Sequence, residues 1–300
     1  MVDVAVIVPT FNRARTIEAS VASVLAETDV ELEVVVVDDG STDDTVARLA
    51  RRGDPRLRVL ARPHGGIAAA RNAGIAASDS RYVAFHDSDD LALPGRVARP
   101  VAHLEAHPDL DFVVQNGRME APEDRAHEAA EPWIAPAVAR RLAARPLTVT
   151  EVFRWNLGQL QGMCFTRRAL AAVGPLDGSF HILDDLDLVL RVAARFRGAF
   201  LDVPAFAYRR GGGVARDRAK VHEEAIAVGD KLVAAHPEAL AAIGARTFRR
   251  RQARRHARVA RVKLAAGDRA GARLALAHAC RLAPGNLRYR WAAFRVGWQD

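Results

Sequence analysis

Three acidic side chains, Asp87, Asp89 and Asp90, lie within four residues of one another. Carboxylates this close repel one another unless a positive charge lies between them. Hard divalent cations such as Mg²⁺ take oxygen ligands and bind through one or two carboxylates together with substrate phosphates. The pattern therefore indicates a metal site. A solvated acidic turn that also caps a helix is the alternative explanation of these residues alone.

The segment before the acidic group has the composition of a strand, and three similar segments precede it. Each is rich in β-branched, apolar or aromatic residues and ends at a polar or turn residue. The four predicted strands are residues 4–8, 33–37, 57–60 and 82–85. Helical patterns lie between them, such as the apolar spacing of Ile17, Val21 and Leu25. Strands that alternate with helices predict an α/β fold with a parallel sheet and right-handed crossovers.

Two local signals predict where helices begin in this region. Ser41, with Asp44 three residues later, has the arrangement of a capping box, which predicts that Ser41 caps the second helix. Gly65 and Gly66 precede an alanine-rich segment and predict a third helix that runs to about Ala77.

Polar residues directly follow three of the predicted strands, at residues 10–13, 38–41 and 87–90. In a parallel sheet of this kind, ligands bind beyond the carboxyl ends of the strands. One site at that edge could therefore hold all three polar segments. No G-x-G-x-x-G follows the first strand and no G-x-x-x-x-G-K-[ST] occurs, so neither common glycine-rich phosphate loop is favoured.

The later part of the chain is less regular. Further predicted elements are helices at residues 94–105 and 167–173, a helix opened by Asp184 and Asp185, and strands at residues 111–115, 161–165, 199–203 and 205–208. Residues 122–136 are polar and contain prolines, which predicts a loop. Three glycines at residues 211–213 predict a boundary, beyond which the chain lacks strand signals and predicts three or four helices.

The composition is that of a soluble globular protein, since 50% of the 300 residues are hydrophobic and 27% are charged. This length suffices for one large domain or for one domain with an appendage. Neither a signal peptide nor a run of ~20 apolar residues is evident. Cys164 and Cys280 fit neither a disulfide framework nor a zinc site. We therefore expect a cytoplasmic protein.

The net charge of +8 is concentrated near the C-terminus, because residues 246–263 contain nine Arg and Lys residues and no acid. One explanation is a solvated, Arg-rich helix face. Another is a peripheral contact with anionic lipid at the inner face of the membrane. Nucleic acid is not favoured as a partner, because the run has no interleaved aromatic residues and belongs to no recognised binding module.

The motifs VIVPTFNR, VVVDDGSTDDT, GGIAAARNAGIAAS and FHDSDD resemble, in this order and spacing, the nucleotide-binding half of family 2 inverting glycosyltransferases. The later stretch GMCFTRRALAAVGPLDGSFHILDDLDLVLR resembles their acceptor half. The resemblance implies a GT-A fold, with a Rossmann-like, mostly parallel sheet flanked by helices, over residues 1–213. Residues 1–92 would form the nucleotide-binding half and residues 93–213 the acceptor half. Residues 214–300 would form an Arg-rich, α-helical C-terminal extension.

The resemblance also implies roles for individual residues. The positions that match nucleotide-contacting residues of the family are Thr10, Asn12, Arg13, Asp38, Asp39, Gly66, Arg71, Asn72, Asp87 and Ser88. Among them, Asp39 matches the carboxylate that accepts a hydrogen bond from the uracil N–H, and adjacent Asp38 could share this role. Asp87 and Asp89 match the D-x-D element that holds Mg²⁺ or Mn²⁺. Asp185 matches the catalytic base.

The transfer chemistry of this family needs two separate acidic groups. A metal ion that bridges carboxylate and phosphate oxygens stabilises the departing nucleoside diphosphate. A second carboxylate removes the proton of the attacking hydroxyl, and single displacement with one base inverts the anomeric centre. Asp185 is the expected base, with Asp184 and Asp187 as alternatives, although acids at a helix N-terminus are also favoured by the helix dipole. The expected donor is a nucleotide sugar, UDP-linked, and the acceptor is a hydroxyl of a glycan, a lipid or a small molecule.

One departure from the family pattern concerns the metal. Many members carry a histidine after the Tyr-Arg that follows the last strand, whereas Tyr208 is followed here by Arg209, Arg210 and three glycines. Coordination would then rest on Asp89 alone. Arg209 or Arg210 could instead neutralise the diphosphate.

Two other functions are compatible with the strand–helix alternation. A sugar-phosphate nucleotidyltransferase needs a Gly-rich, basic loop after its first strand, and PTFNR is a poor match to such a loop. A catalytically inactive nucleotide-sugar-binding or scaffold protein would use the helical C-terminal region. The intact Asp39, Asp89 and Asp185 argue against that second alternative.

Overall fold

The computed structural model describes residues 2–120, 130–208 and 217–297. The chain divides into two compact units. The first comprises Met1–Thr148 and Leu157–Gly212, and the second comprises Val149–Asn156 and Gly213–Asp300. Residues 211–213 and most of the predicted loop at residues 122–136 lie outside the described residues.

In its described residues, the first unit is built on one nine-stranded sheet. Its first four strands are β1 (Val4–Thr10), β2 (Leu32–Asp38), β3 (Leu57–Ala61) and β4 (Tyr82–Phe85). They pair in parallel in the order β3-β2-β1-β4. Nearly every position of β1, β2 and β4 is buried, which explains why these strands are runs of mostly apolar residues rather than alternating patterns. The predicted α/β fold with a parallel sheet in this part of the chain is confirmed.

The helices that connect these strands are α1 (Ile17–Leu25), α2 (Thr45–Ala50) and α3 (Ile67–Ala76). The apolar side of α1 packs with β1, β2 and β4 in the main core of the unit. The prediction that Ser41 caps α2 is wrong. The Ser41 hydroxyl instead accepts a hydrogen bond of 2.8 Å from the backbone N–H of Asn12, so it connects the loops after β1 and β2. The helix consequently begins later, at Thr45.

The rest of the sheet is mixed. Its strands are β5 (Leu91–Ala92), β6 (Phe112–Met119), β7 (Glu131–Pro132), β8 (Met163–Thr166) and β9 (Gly198–Tyr208). Strand β8 runs antiparallel to both β4 and β6, whereas β6 and β9 are parallel. The helices of this part of the chain are α4 (Ala98–Ala106), α5 (Pro136–Ala143), α6 (Val149–Trp155), α7 (Arg167–Val173) and α8 (Asp184–Arg195), of which α6 belongs to the second unit.

Two boundaries in this region differ from the prediction because the backbone leaves regular geometry. The helix predicted from residue 94 begins at Ala98, since Gly95 has a positive φ of 76° that a helix does not accept. The strand predicted from residue 161 begins at Met163, because Leu160–Gly162 forms a 3₁₀ turn.

Pro204 lies between the two short strands predicted near the end of the first unit. The structure has one continuous strand there, β9. Proline has no backbone N–H to donate, and the pairing of β9 with β6 changes register next to it, between Gln115 and Asn116. The sheet therefore accommodates the proline by a local irregularity rather than by ending the strand.

The second unit is helical in its described residues. After α6 it contains α9 (Arg218–Ala235), α10 (Pro237–Ile243), α11 (Ala245–Ala265), α12 (Arg269–Leu282) and α13 (Leu287–Gly297). The chain after residue 214 thus has five described helices rather than three or four, because Pro237 begins one helix and Gly244, with φ of 82°, separates the next. None of the described helices is long and apolar enough to cross a membrane.

Candidate active site

The polar segments that follow β1, β2 and β4 lie side by side at one edge of the sheet. Thr10 at the end of β1 is the register partner of Asp38 at the end of β2, and β4 pairs with β1 on its other side. The Thr16 hydroxyl donates a hydrogen bond of 2.9 Å to the carbonyl oxygen of Ser88. The loop after β1 therefore contacts the acidic loop after β4, at the edge where the sequence predicts a ligand site.

The side chain of Arg71 on α3 is only 7% exposed and contacts both acidic segments. Its Nη1 lies 3.0 Å from Oδ2 of Asp184, and its Nη2 lies 3.4 Å from Oδ1 of Asp87. Gly74, three residues later, allows α3 to approach β1 closely, since a Cβ there would lie 2.4 Å from Cγ2 of Ile7. The acidic loop after β4 and the acidic start of α8 are thus parts of one site.

Electrostatic interactions keep Arg71 charged despite its enclosure. Burial alone lowers the pKa of the guanidinium, but the carboxylates of Asp184, Asp87 and Asp185 outweigh this effect and raise that pKa. A cation held in this way can compensate negative charge on more than one neighbour at a time.

Asp87 and Asp89 are the residues of the predicted metal site. Burial raises the pKa of Asp87, Arg71 opposes that shift, and the negative charge of Asp89 adds to it. The Asp89 side chain is 40% exposed, and its Oδ2 lies 3.3 Å from Nη2 of Arg13. Both carboxylates are therefore close to a guanidinium, and Asp89 is accessible from solvent.

The donor set fits a hard divalent cation such as Mg²⁺ or Mn²⁺, which binds through one or two carboxylates and completes its shell with phosphate oxygens and water. Across the described ranges no group of three His, Cys, Asp or Glu side chains could hold a metal ion. Arg209 and Arg210, the alternative partners of the diphosphate, lie outside the described residues.

Asp185 lies in the first turn of α8, next to Asp184. Its Oδ1 accepts a hydrogen bond of 2.6 Å from the backbone N–H of Leu186. Burial, followed by the adjacent charge of Asp184, raises the pKa of Asp185 to about 8, although Arg71 acts in the opposite direction. A carboxyl group with a pKa in this range suits proton transfer near neutral pH.

Two buried polar atoms at the strand ends have no hydrogen-bond partner among the described residues, Oγ1 of Thr10 and Oδ1 of Asp38. The other carboxylate oxygen of Asp38 accepts a hydrogen bond of 3.1 Å from the backbone N–H of Ser41. A buried polar atom without a hydrogen bond destabilises the folded state. Such atoms at a ligand-binding edge therefore indicate places where a ligand or water would form a hydrogen bond.

The carboxylate of Asp39 is 4% exposed and is surrounded by donors from its own chain. It accepts hydrogen bonds from the backbone N–H groups of Gly66 at 2.7 Å and Gly65 at 3.0 Å, and from the guanidinium of Arg62. Nδ1 of His64 lies 2.8 Å from its Oδ2. A nucleobase N–H that binds to Asp39 must therefore replace one of these donors.

The amides of Asn12 and Asn72, which the resemblance places at the nucleotide, are engaged within the protein. Oδ1 of Asn12 accepts a hydrogen bond of 2.9 Å from the Thr42 N–H. The Asn72 amide donates to the Leu176 carbonyl oxygen at 2.9 Å and accepts from the Leu176 N–H at 2.8 Å. Asn12 thus connects the loops after β1 and β2, and Asn72 connects α3 with the segment that precedes α8.

Sequence reasoning missed Arg62 and His64, which contact Asp39, and Phe11, which contacts His64. The Phe11 side chain is 40% exposed, and its ring centroid lies 4.5 Å from that of His64. An aromatic residue immediately after a buried strand is a signal that could have identified Phe11. Arg62 and His64 lie between the recognised motifs, and their contacts with Asp39 depend on the tertiary structure.

The sequence model of the family described as Glycosyl transferase family 2 matches residues 5–169, which is more than half of the chain. Succinoglycan biosynthesis protein ExoO of Rhizobium meliloti is 42% identical over 123 residues, which are 39% of this chain and 35% of that protein. The UDP-Glc:alpha-D-GlcNAc-diphosphoundecaprenol beta-1,3-glucosyltransferase WfgD of Escherichia coli is 34% identical over 102 residues, 34% of this chain and 40% of that protein. The similarity thus spans less than half of each of these two relatives.

Solved structures share the fold over most of the chain. S. aureus TarS 1–349 superposes with a TM-score of 0.68 and 17% identity, covering 94% of this chain and 81% of that chain. The mannosyltransferase PcManGT from Pyrobaculum calidifontis, solved with GDP-Man and Mn²⁺, gives a TM-score of 0.61 and 21% identity, covering 99% of this chain and 86% of that chain. At these identities, the likeness concerns the fold.

Proposed function

The chain belongs to glycosyltransferase family 2 and has the GT-A fold, and we propose that it moves a sugar from a nucleotide-diphosphate donor to a hydroxyl acceptor with inversion. The proposal rests on the buried Arg71, whose guanidinium contacts both Asp87 and Asp184. The diphosphate leaves the sugar carbon that the deprotonated acceptor hydroxyl attacks, so the groups that assist these two events must lie near the same carbon. The contacts of Arg71 keep the two acidic segments together. We assign the transferase domain to residues 1–213 and the helical extension to residues 214–300.

The donor that we propose is a UDP-linked sugar. The name of the E. coli relative contains UDP-Glc, and S. aureus TarS has been solved with UDP and with UDP-GlcNAc. The GDP-Man complex of PcManGT makes a GDP-linked sugar the principal alternative. Names that refer to succinoglycan biosynthesis and to a diphosphoundecaprenol favour a glycan or lipid-linked acceptor over a small molecule.

The nucleoside would bind at the ends of β1 and β2. The unpartnered Oγ1 of Thr10 and Oδ1 of Asp38 are available to hydroxyl or N–H groups of the ligand. The exposed ring of Phe11 offers a face on which a base can stack. Asp39 accepts a base N–H once Arg62 releases its carboxylate.

The diphosphate would bind at the loop after β4. Ser88 lies within this loop, and Arg13 can exchange its contact with Asp89 for one with a phosphate. Asp87 and Asp89 would hold Mg²⁺ or Mn²⁺, which when bound neutralises charge that develops on the leaving group. Arg71 stays charged beside Asp87 and compensates the carboxylates when no ligand is bound.

Asp185 is the residue that we assign as the base. Asp184 is already engaged, because its Oδ2 lies 3.0 Å from Nη1 of the buried Arg71. Burial raises the pKa of Asp185 to about 8, so its carboxyl group can exchange a proton near neutral pH. Asn12 and Asn72 act in this scheme by positioning the loops that carry these groups.

Thermal-shift measurements with UDP, GDP, TDP and CDP, each with and without Mn²⁺, test this function. We expect UDP with Mn²⁺ to raise the melting temperature most, because a ligand that binds only the folded state stabilises it. Asp89→Ala should remove the part of the shift that depends on Mn²⁺. Asp79→Ala, an exposed acid in the same unit, should leave it unchanged. The proposal is wrong if no nucleotide stabilises the protein.

A further inference from the structure

An open cleft of about 960 Å³ lies in the second unit, where α11 faces the end of α12 and the start of α13. Its charged lining consists of Arg246, Arg249, Arg250, Arg254, Arg281 and Arg288, with no acid among the lining residues. All six are exposed, and none forms a salt bridge with another described residue. Six like charges around one cleft repel one another unless anions lie between them.

Helix α13 presents apolar side chains to solvent. Leu287, Trp291 and Phe294 are 72%, 60% and 58% exposed. Their spacing of four and then three residues places them on one face of the helix. The opposite face carries Ala292 and Val296, which pack in the core of the second unit. Helix α13 therefore uses one apolar face for its own packing and leaves a second one exposed.

The charged cleft and the apolar face form one continuous surface. Leu287 lines the cleft and also begins the apolar face, and Arg288 follows it in the same turn. The guanidinium of Arg295 lies over the Trp291 ring, 4.8 Å from its centroid. An aromatic and aliphatic face flanked by arginines has the composition of a helix that lies in the headgroup region of a bilayer, where long basic side chains reach the phosphates.

We propose that this surface of α11 and α13 docks peripherally on an anionic lipid surface. The cleft arginines bind headgroup phosphates, and Leu287 and Trp291 enter the interface. The charge of this part of the chain is almost entirely positive, since Asp268 is the only acid between Glu238 and Asp300. This binding site is separate from the residues assigned to sugar transfer.

Other occupants fit the surface less well. A second copy of the chain would bring six further arginines against the same cleft. A nucleic acid or a free phosphate would use the arginines but would have no need of exposed Leu287 and Trp291. A lipid surface is the one candidate that satisfies both the charge and the apolar face.

Co-sedimentation of the full chain with vesicles tests the proposal. We expect binding to vesicles of phosphatidylcholine with phosphatidylglycerol, none to phosphatidylcholine alone, and loss of binding as salt is raised. Arg249→Ser with Arg250→Ser should weaken binding about tenfold or more, since each arginine near an anionic surface contributes roughly fivefold. The matched pair Arg140→Ser with Arg141→Ser, two exposed arginines on α5, should bind as the wild type does. Trp291→Ser should also weaken binding.

Each of several results would overturn the proposal. These are equal binding to both kinds of vesicle, binding to neither, or equal loss in the two arginine pairs. Trp291→Ser could bind anionic vesicles as the wild type does, and inorganic phosphate or a DNA duplex could displace the protein fully from them. These two results together would indicate a site for free phosphate or for nucleic acid instead. A wild-type dimer in sedimentation velocity that Trp291→Ser converts to a monomer would assign the surface to a second copy.

Discussion

Nη1 of Arg71 lies 3.0 Å from Oδ2 of Asp184, although the two residues are 113 positions apart in the chain. Both side chains are almost fully buried, at 7% and 3% exposure. A buried ion pair stabilises the protein only while both partners are present, because removal of one leaves an uncompensated charge. This pair therefore joins α3 to the start of α8, and breaking it destabilises the fold.

Substitution of Arg71 should destabilise the protein strongly. Arg71→Met would leave Asp184 and Asp87 without their cation, and we expect the free energy of unfolding to fall by about 3–5 kcal/mol. Urea denaturation measures this loss. The double variant Arg71→Met with Asp184→Asn should recover part of it, because the unpaired carboxylate is then also removed. Failure of the second substitution to recover any stability would contradict a direct pairing.

Arg48→Met provides a matched control for that experiment. Arg48 also forms a salt bridge, with Glu18 at 2.8 Å, but both side chains of this pair are exposed. Exposed ion pairs are screened by solvent and contribute little to stability. We expect the midpoint of unfolding of Arg48→Met to stay close to that of the wild type.

The proton affinity of Asp185 should make stability depend on pH. Its pKa is 3.8 in a model peptide and about 8 in the folded protein, so the folded state keeps a proton that the unfolded chain releases. This contribution to stability is complete below pH 3.8 and is lost as the pH rises toward 8. Asn cannot ionise. The melting temperature of Asp185→Asn should therefore rise relative to the wild type between pH 5 and pH 8.

Asp109→Asn is the control for the pH experiment, since Asp109 is 62% exposed. The melting temperature of Asp109→Asn should follow that of the wild type between pH 5 and pH 8. A difference between Asp185→Asn and the wild type that does not change with pH would mean that the Asp185 carboxyl is not protonated in the folded state.

The donors around Asp39 should compete with the nucleotide. Arg62→Ala removes the guanidinium that contacts the carboxylate, and we expect UDP to bind about tenfold more tightly, as loss of one competing charged hydrogen bond of about 1.4 kcal/mol implies. Titration calorimetry measures the affinity. Arg58→Ala, which removes the exposed guanidinium that pairs with Glu33 on the neighbouring strand, should leave the affinity unchanged. Weaker binding by Arg62→Ala would instead assign that guanidinium to the ligand.

Arg96, between β5 and α4, is a buried cation that contacts the end of β4, just before the acidic loop. It is 1% exposed, and its Nη2 donates to the Phe85 carbonyl oxygen at 2.7 Å while its Nε donates to that of Gln161 at 2.7 Å. Burial lowers the pKa of Arg96 to about 10, so it remains charged at neutral pH. We expect Arg96→Met to lower the free energy of unfolding by about 3 kcal/mol, because buried carbonyl groups lose their donors. Arg99→Met, at an exposed position nearby, should have little effect, and equal losses in the two variants would contradict this role.

Much of the first unit could be predicted because its signals are local. The strands β1 to β4 are short runs of apolar residues that end in turn or polar residues, and each appears where the pattern predicts it. The polar residues after β1, β2 and β4 meet because parallel strands end at a common edge. The capping prediction for Ser41 is wrong because its hydroxyl accepts a hydrogen bond from Asn12, a residue distant in sequence.

The finer features of the site depend on contacts that no local pattern contains. Nothing in the segment around Arg71 indicates that Asp184 is its partner. The raised pKa of Asp185 follows from burial, which only the packed structure determines. Asn72 lies in a motif typical of nucleotide binding, but its amide contacts Leu176. On α13, the sequence shows two apolar faces, and packing decides which of them is buried.

The rate at which UDP is formed from a panel of UDP-sugars, compared between the wild type and Asp185→Asn, tests the assignment of the base most directly. We expect Asp185→Asn to bind UDP with the affinity of the wild type and to release UDP at least about 100-fold more slowly, because a positioned general base contributes at least that factor. Asp109→Asn should retain full turnover. Wild-type turnover by Asp185→Asn would contradict the proposal that this carboxylate removes the proton of the acceptor.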